Sequence, residues 1–202
     1  MPRRPLQRSD EHYYHVTARS NNRENFHLPL PEVWDIMSRK LSQLQREHEI
    51  KIAAFVLMNN HFHLMMLTPK ADIDRVMYFF MKDVTLKIQQ RTGRINKIFG
   101  GRYKGSLINN FNYLANAYRY IYQNPIRARI VDRAEDYPFS SVNKLGHQTL
   151  FVESVLSNEI KSELEWINRR FSNTEARCIQ KALKKTVFEY PKERSTGRTI
   201  YD

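Results

Sequence analysis

The sequence predicts an α+β fold of βαββαβ order. It reads as a ferredoxin-like antiparallel sheet with helices on one face, a further helix after the fourth strand and a helical C-terminal extension. Three observations predict it. Apolar residues alternate with period two around residue 14 and recur from 50 to 68, where Asn59-Asn60 interrupts them with turn chemistry. Two stretches, one from Pro31 and one from Asp72 or Asp74, repeat their apolar residues at helical spacing. The two kinds follow one another in the order of a split βαβ unit.

The elements follow in chain order. His12 to Ala18 reads as the first strand, with Tyr14, Val16 and Ala18 on one face and Tyr13, His15 and Thr17 on the other. Pro31 opens a helix, as suits a residue with no N–H to donate, and Val33, Ile36, Met37, Leu41 and Leu44 form its apolar face. Ile50 to Met58 and His61 to Thr68 pair as a hairpin. The second helix carries Val76, Phe79, Phe80, Val84, Leu86 and Ile88 and ends at Gly93. Arg102 to Ile108 is the fourth strand. Asn110 or Asn112 caps a third helix running to about Gln123, where Pro125 stops it. Further on, Ser172-Asn-Thr-Glu175 has capping-box spacing.

Composition narrows the partners. Among 202 residues, 33 Lys and Arg oppose 21 acids, leaving a net charge of +12. So large a positive field gathers polyanions, with nucleic acid ahead of an anionic membrane. Cys178 is the single cysteine, which excludes an intramolecular disulfide and fits a reducing compartment. No apolar run has the length of a signal peptide or a membrane span, so the chain reads as cytoplasmic with no membrane partner.

Two clusters carry chemistry. His61 and His63 stand two apart on one strand, so they share a face while Phe62 points the other way. Two such imidazoles can hold one divalent metal in cis. They equally suit a hydrogen-bonded pair in a polar groove, and an HxH pair by itself does not decide. On the third helix, Leu114, Tyr118 and Ile121 form the packing stripe, with Tyr122 at its margin. Tyr120 projects away from the stripe with Tyr113, Asn116 and Asn124. Tyr120 and Asn124 are neighbours on the helix surface. A hydroxyl beside an amide oxygen suits metal-assisted attack on phosphorus, and it also suits an ordinary tyrosine above a helix end.

The residues also carry a family likeness. Asn60-His-Phe-His-Leu, then Arg102-Tyr-Lys, then Arg119-Tyr-Ile-Tyr-Gln-Asn-Pro-Ile-Arg-Ala resemble the REP-associated tyrosine transposases. These are a branch of the single-tyrosine HUH transposases of insertion sequences. Tyr14-His-Val-Thr-Ala-Arg-Ser-Asn-Asn-Arg-Glu, Asp136-Tyr-Pro-Phe-Ser-Ser and Glu165-Trp-Ile-Asn extend the likeness across about residues 10 to 185.

The sequence divides into a basic arm over 1–10, a domain over 11–145 that the resemblance makes catalytic, and a helical extension with a basic tail over 146–202. The resemblance implies Tyr120 as nucleophile, His61, His63 and Asn124 as metal ligands, and Mg²⁺ or Mn²⁺ as the ion. It implies single-stranded DNA, beside hairpins, as substrate. Arg19, Arg23, Arg102, Lys104, Arg127 and Arg129 are the expected phosphate contacts. The tail Tyr190-Pro-Lys-Glu-Arg-Ser-Thr-Gly departs from the family pattern. Assembly stays open between monomer and homodimer. The rival from another class is a binding module that holds nucleic acid without cutting it.

Overall fold

The structure, a computed structural model, describes residues 5–143, 150–156, 162–192, 197 and 199. The expected boundary between residues 145 and 146 lies outside the described residues, as do the first four residues of the arm and most of the tail after Lys192.

Four strands form one antiparallel sheet: β1 (Tyr13–Arg19), β2 (Lys51–Met58), β3 (His61–Leu67) and β4 (Lys104–Ile108), in the order β2-β3-β1-β4. Helices α1 (Leu30–His48) and α2 (Ile73–Thr92) connect them. The element order and the sheet are those expected. Alternation sorts the side chains cleanly. Tyr14, Val16, Ala18, Phe62, Leu64 and Met66 face α1 and α2 in a core completed by Val33, Met37, Leu41, Val76, Phe80 and Ile88.

The opposite face carries His15, Thr17, His61, His63 and Met65. It is covered by α3 (Phe111–Tyr122), against which α5 (Glu163–Asn168) and α6 (Asn173–Ala182) pack. α1 and α2 thus share one face as predicted, and the helices that follow β4 close the other. Among the described residues no helix is long and apolar enough to cross a membrane.

Local chemistry explains the element ends. Asn110 caps α3 by accepting from the Tyr113 amide at 3.2 Å. Asp72 precedes α2 but makes no cap bond; its carboxylate pairs with His48 at 3.1 Å instead. Gly93 closes α2 at φ 70°, a left-handed turn that glycine takes without strain. Ser172 and Glu175 form the reciprocal capping box that starts α6.

Two expectations are corrected. The fourth strand begins at Lys104 and not at Arg102, because Tyr103 and Arg102 are drawn toward α2 by Asp74, at 2.8 and 3.4 Å. Pro125 does not end helical structure. α3 stops at Tyr122, and α4 (Asn124–Arg127) follows after one residue, with Pro125 in its first turn, where its missing N–H costs nothing.

Later segments cover both open edges of the sheet. At β2, the Leu57 amide donates to Phe139 and the Ser141 amide to Phe55, at 2.9 and 2.8 Å. At β4, the Leu107 amide donates to Thr186 at 2.9 Å and its carbonyl accepts from Phe188 at 2.7 Å.

Phe62 meets Phe55, Phe80 and Phe99 with no exposure. Phe62→Ala is expected to cost about 3–5 kcal/mol, the usual range for a buried Phe, read as a lowered urea midpoint with an unchanged m-value.

Candidate active site

The β1–β3 register places Arg19 opposite His61 and Thr17 opposite His63. On the far side of β1, Thr17 is opposite Lys104 and His15 is opposite Ser106. These residues form one polar patch on a sheet face otherwise lined by Val56, Met58, Met65 and Ile108. His61 and His63 each have a partner at Nδ1. The Asn60 side-chain amide donates to the Arg23 carbonyl at 2.7 Å, so its oxygen faces His61 Nδ1 at 2.8 Å. That oxygen only accepts. His61 therefore carries its proton on Nδ1 and keeps a lone pair on Nε2, the form that binds metal.

His63 Nδ1 lies 2.8 Å from His15 Nε2. A single proton bridges the two, and either ring can carry it. The His61 and His63 ring centroids are 5.1 Å apart with planes at 79°. With metal–nitrogen bonds of about 2.1 Å, rings at this spacing suit neighbouring positions on one ion.

All three histidines are held neutral. Burial lowers His15 to about 3, with the charge of His61 adding to the effect. Burial lowers His61 to about 4, reinforced by Arg19. Burial pushes His63 well below the ordinary histidine range, and His15, His61, Arg19 and Arg127 push it the same way. Neutral imidazole is what a metal needs.

Tyr120 lies against this patch. It is 4% exposed, and its ring meets His63 edge-on with centroids 6.4 Å apart. The Arg127 guanidinium sits over the Tyr120 ring, 4.8 Å from its centroid. The expectation that Tyr120 projects from the packed side of its helix is corrected. α3 packs on the sheet as well as against α5 and α6, and Tyr120 is buried where it meets His63 of the sheet.

The neighbouring tyrosines are occupied. Tyr118 donates to the Glu163 carboxylate, and Tyr122 donates to the Ala53 carbonyl at 3.1 Å beside Ser141 Oγ. Burial raises the pKa of both hydroxyls.

Asn124 sits one turn beyond Tyr120. Its side-chain N–H groups donate to the Tyr120 and Ile121 carbonyls, both at 3.0 Å. The first of these bonds ties its side chain to the Tyr120 backbone, and its Oδ1 is the atom that can accept or ligate. Among the described residues, no three of His, Cys, Asp and Glu gather as a metal cluster.

The expected phosphate contacts divide. Arg19, Lys104 and Arg127 border the histidine patch and are exposed. Arg23 lies in the loop whose carbonyl holds Asn60. Arg129 is exposed just past α4, at φ 58°. Arg102 stands apart, sharing Asp74 with Arg8. Sequence reasoning missed His15. Its strand face was legible, but its contact with His63 depends on the β1–β3 register.

With this geometry in place, comparison with known proteins identifies the family. The model of the IS200-like transposases matches residues 8–124, from the arm through both histidines and Tyr120 to Asn124. The chain belongs to that family. Among solved structures it resembles a REP-associated tyrosine transposase bound to a REP hairpin, at 18% identity and TM-score 0.59, over 78% of this chain and 94% of the other. A proposed transposase from Deinococcus radiodurans R1 matches at 14% identity and TM-score 0.41, over 64% and 91%. No curated protein matches the chain significantly.

The lowered histidines set a pH dependence. Their unfolded value is near 6.5, so between their folded values and 6.5 the unfolded chain binds protons that the native chain does not. Stability is then flat above about pH 7 and falls as pH drops below 6.5, by up to about 1.4 kcal/mol per pH unit for each histidine. Urea unfolding in chelator from pH 7 to pH 5 should show a shallower slope for His61→Asn than for wild type; equal slopes would contradict the assignment.

Proposed function

We propose that the protein cleaves and rejoins single-stranded DNA through Tyr120, with a divalent metal held by His61, His63 and Asn124. The observation that carries this reading is the seating of Tyr120 against His63 within one chain, with Arg127 over its ring. Bound metal supplies Lewis-acid polarisation of the scissile phosphate.

The chain's own residues account for the rest. The Tyr120 oxygen forms a bond to phosphorus as the bond from phosphorus to the 3′ oxygen breaks. The phenolic proton is lost, and the departing 3′ oxygen becomes a hydroxyl. The strand's 5′ phosphate stays on Tyr120 as a phosphodiester, which a second 3′ hydroxyl attacks in the reverse step to join strands. Arg127 and Arg19 hold positive charge where the phosphate develops negative charge. Lys104 and the outer arginines follow the flanking backbone, and unpaired bases stack on aromatics.

The structural relative is described with a REP hairpin bound. That description and the motif likeness support the REP-associated branch and a hairpin beside the cleavage site. The ligand set favours Mn²⁺ over Mg²⁺ in affinity, since imidazole suits the softer ion.

The test is a covalent adduct. Protein is mixed with labelled single-stranded oligonucleotides copied from hairpins flanking its gene, with Mn²⁺ or Mg²⁺, and run in SDS. An adduct is expected with wild type and none with Tyr120→Phe or His61→Ala. An adduct that persists in Tyr120→Phe moves the nucleophile to another tyrosine. No adduct with tight binding retained leaves a binding-only descendant. Activity with Mg²⁺ but none with Mn²⁺ contradicts the ligand assignment.

Binding should weaken steeply with salt. Arg127→Ala should lower the log–log slope by about 0.7, one single-strand phosphate contact. An unchanged slope would remove Arg127 from the DNA path.

A further inference from the structure

The contact between His15 and His63 does more than fill space. His15 is 3% exposed and His63 is 8% exposed, and Nε2 of one lies 2.8 Å from Nδ1 of the other. The bridging proton has two arrangements. If His15 donates, His63 carries its proton on Nε2 and has no lone pair left for an ion. If His63 donates from Nδ1, its Nε2 lone pair is free, and His15 must carry its own proton on Nδ1. His15 Nδ1 is buried and without a hydrogen-bond partner among the described residues.

The residue directly opposite His15 on β4 is Ser106, fully buried, whose hydroxyl also lacks a partner. Opposite residues of an antiparallel pair share a face with Cβ atoms about 4.5–5.5 Å apart. Two unpaired polar groups so placed are each costly alone and satisfy one another when Ser106 turns its oxygen toward His15.

We propose that Ser106 and His15 form a hydrogen-bonded relay that holds His63 in the Nδ1–H form, presenting Nε2 to the metal. The proton order runs from His63 Nδ1–H to His15 Nε2, then from His15 Nδ1–H to Ser106 Oγ. Asn60 performs the same service for His61 from the loop side. His15 is a positioning residue and touches neither metal nor DNA. The relay rests on the metal reading of His61 and His63 given above.

The test reads tautomer and affinity, not turnover. In metal-free wild-type protein, two-bond ¹⁵N–¹H correlation spectra of the His63 ring should show Nδ1 protonated and Nε2 bare. A protonated Nε2 overturns the relay, and this measurement needs no variant. Mn²⁺ affinity is then measured by electron paramagnetic resonance titration. His15→Leu should bind Mn²⁺ about 10–100-fold more weakly, the usual loss for an outer partner of a histidine ligand. His15→Gln, whose amide oxygen can accept from His63 Nδ1–H, should stay within about threefold of wild type.

Thermal melts of the metal-free variants check folding, and Ser106→Ala serves as a milder lesion if His15→Leu does not fold. Wild-type affinity in folded His15→Leu, with His61→Ala impaired, overturns the relay alone. Wild type binding Mn²⁺ no better than His61→Ala overturns the metal reading and the relay with it.

Discussion

The antiparallel pairing of β1 with β3 fixes the rest of the molecule. Both strands alternate strictly, and the register sets Thr17 against His63 and Arg19 against His61. One parity class, through Tyr14, Val16, Phe62 and Leu64, fills the core beneath α1 and α2. The other parity class is the polar patch. A slip of one residue would exchange the two sets, burying histidines among phenylalanines and turning Phe62 toward the tyrosine helix. The aromatic packing around Phe62 therefore holds the histidines in place from behind.

The patch shows what this arrangement demands. Polar side chains on a buried sheet face need partners. His61 finds Asn60, His63 finds His15, and Thr17 donates to the Phe62 carbonyl at 2.6 Å. The helix above observes the same economy. Tyr118 and Tyr122 spend their hydroxyls on Glu163 and on the Ala53 carbonyl. Tyr120, between them in sequence, is turned by the helical period toward the histidines. The proposed chemistry sits where the partner list of a side chain leaves an atom over.

Much of this was legible in the sequence. The strands announced themselves by alternation and the helices by apolar spacing, because each has one buried and one different face. His61 and His63 were legible as a same-face pair for that reason. What was not legible depended on register or on enclosure. His15 looked like any polar residue on a strand until pairing set it beside His63. Tyr120 seemed to leave the packed stripe because a single helix shows one apolar face, and only the docking of α3 on the sheet sets Tyr120 against His63. Arg102 was placed on the strand by its neighbours in sequence, whereas Asp74, 28 residues away, decides its position. Pro125 was read as a stop because the rule concerns a continuing helix, and here a new one begins.

The covering of both sheet edges gives the later part of the chain a role beyond decoration. Residues 139–141 and 186–188 satisfy backbone groups that β2 and β4 would otherwise present to solvent. These segments lie beyond residue 124, where the match to the family model ends. A fragment trimmed to that shared part would keep every proposed ligand and the nucleophile, yet carry two sticky flanks and a half-uncovered tyrosine helix. The matched portion thus holds every proposed ligand and the proposed nucleophile but neither edge cover, and strand-to-strand addition at these positions is closed to the whole chain.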